Sequence, residues 1–182
     1  MSTETEAKMR FDDLDAIVRR LKAAGAKSIG QRDEVNVFFD TPDSSLRKSG
    51  KGLRLRTHTD RKTGRVDYVV TFKGPRRPGK LKIRSETEFT VDDPAALKLV
   101  FAELGYHPKL TFKKTRRSFS FMDCKVELDQ LPHIGSFVEI EGPSARKIMA
   151  ARKALNMQHE AMITESYASM VAKHFAHQKP RH

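Results

Sequence analysis

The sequence predicts an α+β fold: one antiparallel β-sheet curled into a β-barrel, with helices packed on its outside. Three observations lead there. Strand-like and helix-like stretches follow one another as strand, helix, three or four strands, helix, three strands and two helices, an order that suits a single antiparallel sheet. The strands share one pattern, an apolar face backed by a face of ionisable residues. That second face is almost purely ionic: ETEAK, LRLR, IRSETE, KKTR, ELD and EIE hold few of the neutral polar residues that normally dilute a solvated face.

Taken in order, residues 3–10 (TETEAKMR) alternate so that Glu4, Glu6 and Lys8 share one side of an extended strand. Asp12 or Asp13 caps the helix that follows, Leu14, Ile17, Val18 and Leu21 form its apolar stripe, and Gly25 ends it. VNVFFDTP (35–42) reads as a strand running into a turn. Gly50 and Gly52 introduce LRLRTH, where Arg54, Arg56 and His58 alternate with Leu53, Leu55 and Thr57. In DYVVTFKGP, Val69, Thr71 and Lys73 oppose Tyr68, Val70 and Phe72; the loop from Gly74 to Gly79 then breaks the sheet. KIRSETEFT puts Lys82, Arg84, Glu86 and Glu88 on one face.

Asp92 or Asp93 and Pro94 open a second helix, with Leu97, Val100, Phe101 and Leu104 inside and Gly105 as its stop. LTFKKTRRSFSF places Lys114, Arg116 and Ser118 together. CKVELDQL sets Lys125, Glu127 and Asp129 against Val126 and Leu128, and GSFVEIEG sets Glu139 and Glu141 against Val138 and Ile140. Ser144 opens a helix to about Asn156, and a last helix over 164–175 buries Tyr167, Met170 and Val171.

For one strand alone, a solvated outer face is the commoner fate of such alternation. Repeated over so many strands, the pattern fits helices that bury the apolar face from outside and leave the ionic face to line a lumen of water and ligand.

At 182 residues the chain is long enough for one well-packed domain, taken as 1–176 with a flexible tail at 177–182. The net charge of +12 implies a polyanionic partner without choosing its kind. Cys124 is the only cysteine, which excludes an intramolecular disulfide and a cysteine-built zinc site, and the histidines show no ligand spacing. No stretch approaches the roughly 20 apolar residues of a membrane span, and MSTETEAKMR lacks the apolar core of a signal peptide, so a cytoplasmic location is expected.

The basic set Lys8, Arg54, Arg56, Lys73, Arg84, Lys114 and Arg116 exceeds what the carboxylates can pair, which calls for a polyanion in the lumen. The carboxylates Glu4, Glu6, Asp129, Glu139 and Glu141 would repel one another by roughly 4 kcal/mol per close pair at an effective dielectric of 20. Hard oxygen ligands without Cys or His point to Mg²⁺ or Mn²⁺, which bridge protein carboxylates to substrate phosphates. The expected site has an acidic end for metal and a basic stretch for phosphates. Glu86, Glu88 and Glu127 read as balancing neighbouring cations, and Lys82, Lys113 and Arg117 as solvated surface, so none of these joins the candidate set.

These residues resemble the CYTH domain of class IV adenylyl cyclases and thiamine triphosphatases, the triphosphate tunnel metalloenzymes. The likeness runs from Glu4 to Tyr167: ETEAK matches the family's E-x-E-x-K strand, and NVFFDTP, LRLR, TFKGP, RSETE, KKTR, ELDQL, FVEIEG and ESY follow in the family's order. The resemblance implies an eight-stranded antiparallel tunnel, with Glu4, Glu6, Asp129, Glu139 and Glu141 as metal ligands. It assigns phosphate binding to Lys8, Arg54, Arg56, Lys73, Arg84, Lys114 and Arg116, and catalysis to Glu4, Glu6 and Lys8.

It implies a triphosphate substrate, ATP or inorganic triphosphate. KGP, GYHP and FVEIEG look most like the class IV cyclases, which form cyclic AMP and pyrophosphate. Those cyclases carry an aromatic and glycine segment ahead of E-x-E-x-K, where this chain has Met1 to Thr3, so inorganic, nucleoside or thiamine triphosphatase activity stands as the alternative. A polyphosphate- or nucleic-acid-binding module is the reading from another class, prompted by KGPRRPGK and KKTRR. It is disfavoured, because a pure polyanion binder gains nothing from acidic residues in its site. The residues are silent on oligomeric state, and the resemblance suggests a homodimer.

Overall fold

Alternation of apolar and ionic residues along antiparallel strands permits two closed arrangements, apolar-in or apolar-out, and this chain adopts the second. The computed structural model describes residues 2–79 and 81–178. In chain order the elements are β1 (Ser2–Arg10), α1 (Leu14–Ala23), β2 (Lys27–Asp40), α2 (Ser45–Lys48), β3 (Gly52–Asp60), β4 (Val66–Lys73), β5 (Lys82–Val91), α3 (Pro94–Glu103), β6 (His107–Phe121), β7 (Cys124–Leu131), β8 (Gly135–Glu141), α4 (Ala145–Ala154) and α5 (Tyr167–Gln178). The eight strands form one closed barrel, ordered β1-β5-β4-β3-β2-β6-β7-β8, with every neighbouring pair antiparallel.

The apolar core lies outside this barrel. Met9, Phe119, Val126, Leu128, Val138 and Ile140 of β1, β6, β7 and β8 pack beneath Leu14, Ile17 and Leu21 of α1 and Ile148 of α4. A second cluster joins Phe39, Leu55 and Val70 of β2, β3 and β4 to Leu97 and Phe101 of α3. Each fully buried Leu, Ile or Phe side chain contributes about 1.5–3 kcal/mol. The helices are capped where the acidic residues and Ser144 predicted it: Asp13 accepts from Ala16 N, Asp93 from Ala95 N and Ala96 N, and Ser144 Oγ from Lys147 N. Among the described residues no helix is long and apolar enough to cross a membrane.

The structure differs from the expected elements at four places. β2 begins at Lys27, not Val35. Its polar first half shows no apolar alternation, and pairing with the equally long β6 carries it, through a register shift between Ser28 and Gly30. The four-residue α2 was not anticipated, being too short for a helical apolar period. It is built from polar bonds instead, with Asp40 accepting from Leu46 N and Arg47 N.

On α3 the expected inner residues Val100 and Leu104 are exposed (53% and 65%), because only Leu97 and Phe101, one turn apart, reach the sheet. The last helix starts at Tyr167 because Ser166 Oγ accepts from Ser169 N and opens it there. It continues through His177 to Gln178, into the expected tail, and residues 179–182 lie outside the described residues.

Candidate active site in the barrel lumen

Because the apolar faces turn outward, every predicted site residue turns into the lumen. Glu4, Glu6, Lys8, Arg54, Arg56, Lys114, Arg116, Asp129 and Glu139 are buried there, and Lys73, Arg84 and Glu141 half-buried. Acids are concentrated along one wall rather than at one end, which corrects the expected acidic end, although Lys8 stands among them on β1, and Glu34 on β2 and Glu86 on β5 stand among the bases. The adjacent strands β7, β8 and β1 carry Glu127, Asp129, Glu139, Glu141, Glu4 and Glu6, with Glu127 opposite Glu139 and Glu141 opposite Glu6 in register. Strands β3 to β6 supply Arg54, Arg56, Lys73, Lys82, Arg84, Lys114 and Arg116.

Ion pairs, most of them between neighbouring strands, run around the lumen. Lys73 and Arg84 reach Glu4 at 2.7 and 3.0 Å, and Lys82 reaches Glu6 at 2.5 Å. Lys114 reaches Asp129 at 3.0 Å, and Lys8 reaches Glu139 at 3.2 Å. Arg116 is the hub: it bonds Asp129, Glu139 at 2.7 Å, and Glu127. Burial works against its charge, but Asp129, Glu127 and Glu34 outweigh that and hold it firmly protonated. Likewise burial would raise the Glu4 carboxyl, yet Lys73, Lys82 and Arg84 hold it far below the usual range.

The lumen also holds residues that the sequence reading left out. Lys82 and Glu127, taken as surface and as neighbour-balancing, are 7% and 3% exposed inside the barrel. Glu34, 1% exposed, stands in the basic wall and meets Arg32 at 2.8 Å, Arg56 at 3.3 Å and Lys114 at 3.4 Å. Its period-two place with Asn36 and Phe38 was the available signal. With these acids counted, the lumen is close to neutral, so the expected excess of base inside does not hold and the surplus positive charge lies on the outer surface. Asp40, part of the NVFFDTP match, caps α2. Lys113 is exposed, and Arg117 pairs with Asp15 outside, as expected.

One cation stands apart from this pairing. Among the described residues Arg54 has no carboxylate within ion-pair distance; it donates through Nη2 to Thr71 Oγ1 at 2.9 Å, and its buried Nε has no partner. Burial, reinforced by Arg56 beside it, makes its charge costly, and the more distant Glu34, Glu86 and Glu88 offset only part of that. Asn36 accepts from Arg56 Nε through Oδ1, while its fully buried Nδ2 is also unpartnered. Burial similarly lowers the proton affinities of Lys8, Lys73 and Lys114, with Arg54 adding to the effect at Lys73 and Arg116 at Lys114.

The lumen is closed along part of one end by apolar side chains. Leu131 and Phe137, with Leu110 and Phe112 beside them, meet Tyr167 and Val171 of α5. The Tyr167 ring lies 3.7 Å from Lys8 Nζ, and Lys8 also donates to the Glu165 carbonyl at 3.0 Å. α5 is thereby tied to the E-x-E-x-K strand itself.

A divalent cation suits the acidic wall chemically. All its donors are carboxylate oxygens, and Glu141, register partner of Glu6, meets no cation within ion-pair distance among the described residues. Burial, with Glu127 and Glu4 nearby, pushes its carboxyl up to about 7, and Lys125 offsets only part of that. Among the described residues no three acidic or histidine side chains yet converge on one point. Ligation would therefore draw carboxylates away from their present lysine and arginine partners.

Comparison with known proteins agrees with this geometry. A "putative adenylate cyclase" of Methanocaldococcus jannaschii is 26% identical over 176 residues, covering 92% of this chain and 97% of that protein. The adenylate cyclase CyaB of Aeromonas hydrophila is 31% identical over 138 residues, 75% of this chain and 67% of CyaB. A solved structure from Hippeastrum, described as a "putative adenylyl cyclase" with a dominant triphosphatase activity, superposes with a TM-score of 0.69 at 16% identity, covering 93% of this chain and 96% of that one. The family model of the CYTH domain matches residues 2–166, and the chain belongs to the CYTH domain family.

Proposed function

We propose that this chain is a divalent-metal-dependent enzyme that holds a triphosphate across the lumen and converts ATP to cyclic AMP and pyrophosphate. The observation that carries the reading is Arg54: a buried guanidinium that, among the described residues, makes no ion pair with a carboxylate, in the same lumen as the unpartnered Asn36 Nδ2 and several closely packed cations. Burying such a charge without a counter-ion is costly, and an anionic ligand removes the cost. Support for the cyclase comes from the descriptions of the two curated relatives.

In this reading Arg54, Arg56, Lys73, Arg84, Lys114, Arg116 and Lys8 take the phosphate oxygens, and Glu4, Glu6, Asp129, Glu139 and Glu141 take Mg²⁺ or Mn²⁺. The metal supplies charge neutralisation on the phosphates. The protein supplies position: cations fixed on strands fasten the chain of phosphates, and Tyr167 with the apolar residues around it covers part of one end of the lumen. Arg54 is free to make the first contact. Glu4, Asp129 and Glu139, which would hold the metal, now pair with Lys73, Arg84, Lys114 and Arg116, so a metal and a triphosphate would strengthen each other's binding.

In cyclisation the ribose 3′ oxygen forms a bond to the α-phosphorus, the bond from that phosphorus to the bridging oxygen breaks, and pyrophosphate leaves; the 3′ proton passes to solvent or a lumen carboxylate. Hydrolysis of the terminal phosphoanhydride is the second reading. The same walls would hold the triphosphate with water in line, and the Hippeastrum protein of the same fold is described with that activity.

The test is to incubate the chain with ATP and with inorganic triphosphate, in Mg²⁺ and in Mn²⁺, and to identify the products. Cyclic AMP with pyrophosphate supports the cyclase, and orthophosphate supports the hydrolase. No turnover, together with unchanged polyanion affinity in Glu141→Ala, would leave a binding module and overturn the enzyme.

A further inference from the structure

We infer that the lumen contains a second subsite for a planar heteroaromatic group, built on Phe38 and Phe112, which makes a nucleotide rather than inorganic triphosphate the preferred ligand. This rests on the triphosphate reading above.

Phe38 continues the inward face of β2 after Glu34 and Asn36, since its neighbours Val37 and Phe39 lie in the outer cluster beneath α3. Phe112 stands on the inward face of β6 two residues before Lys114. The two rings are stacked, with centroids 5.9 Å apart and planes 17° from parallel. Phe112 is packed on one side against the apolar closure of Tyr167 and Phe137, while both residues keep partial solvent access. An otherwise ionic lumen thus carries an aromatic surface at the edge of its closed end.

Its surroundings match what joins a base to its phosphates. Phe38 is the register partner of Arg54, and Asn36 is the register partner of both Arg56 and Phe112. The two unpartnered buried donors, Arg54 Nε and Asn36 Nδ2, therefore belong to the register partners of Phe38 and Phe112. Inorganic triphosphate could satisfy such donors but leaves the rings idle. A nucleotide uses both, its base against the aromatic surface and its first phosphate toward Arg54.

The experiment compares binding of ATP and of inorganic triphosphate, by calorimetry with Mg²⁺ present, in the unaltered chain and in Phe38→Ala and Phe112→Leu. Thermal melts and the triphosphate affinity serve as checks on folding. Stacking lost by alanine substitution corresponds to roughly a five-fold to hundred-fold weakening. The expected result is that loss for ATP in Phe38→Ala, a smaller loss in Phe112→Leu, and triphosphate affinity unchanged within about twofold. Equal losses for both ligands, or none for either, would overturn the subsite while leaving the triphosphate reading intact. An unaltered chain that binds neither ligand would overturn both.

Discussion

Two buried arginines of the same lumen should respond in opposite ways to the same substitution. Among the described residues Arg116 is bonded to Asp129, Glu127 and Glu139, and Arg54 to the Thr71 hydroxyl alone. In Arg116→Met those carboxylates are left buried without their shared cation, which costs about 3–5 kcal/mol. For a chain of 182 residues that lowers Tm by roughly 6–20 °C. In Arg54→Met one hydrogen bond is lost, worth about 0.5–1.5 kcal/mol, but a buried charge without an ion-pair contact is removed as well. The Tm should stay within a few degrees or rise.

Ligand binding reverses the ranking. Removing a buried charge that a phosphate would pair costs about 2–5 kcal/mol, so Arg54→Met should bind triphosphate about thirty-fold to a few thousand-fold more weakly. Calorimetric melts and triphosphate titrations on both variants test this. An Arg54→Met chain as destabilised as Arg116→Met, with triphosphate affinity intact, would refute Arg54 as the free phosphate contact.

Other consequences follow from the same charges. Glu141 titrates near 4.5 when unfolded and near 7 in the fold, so its contribution to stability is complete below about 4.5 and lost as pH rises through about 7. Metal-free Glu141→Gln should lack this loss, on the order of 1–2 kcal/mol after allowance for solvent screening, in melts recorded across that window. Glu6→Gln frees Lys82, and is expected to bind triphosphate a fewfold more tightly without metal while losing the enhancement by Mg²⁺; titration in both buffers decides, and retained enhancement would count against Glu6 as a ligand. Tyr167→Leu removes the ring over Lys8 and should cost about 1–2 kcal/mol in denaturant unfolding, with faster proteolysis at α5.

Most of the lumen could be read from the sequence because strand geometry enforces a period of two. Once Glu4, Glu6 and Lys8 face inward, register carries the same choice to Arg54, Arg56, Lys114, Arg116, Asp129, Glu139 and Glu141. What periodicity cannot supply is who pairs with whom. Lys82 and Glu127 lay on the correct face, but their partners Glu6 and Arg116 are 76 and 11 residues away and meet them only once β1 pairs with β5 and β6 with β7. Glu34 and Asn36 were passed over because a lone acid or amide beside VFF gives no ionic run. The first half of β2 and the short α2 escaped for a related reason, being held by partner-strand and side-chain bonds with little apolar pattern of their own. On α3, apolar spacing overstated burial, since a helix lying over a curved sheet touches it along one line.

The decisive measurement is a crystal structure of the chain with ATP and Mn²⁺, in which the anomalous signal of manganese places the metal. Manganese is expected beside Glu6 and Glu141, phosphates against Arg54, Arg56, Lys73, Arg84 and Lys114, and Lys73, Arg84 and Lys114 turned from their present carboxylates. Phosphates bound on the outer surface, with the lumen ion pairs unchanged and no manganese between the walls, would contradict it.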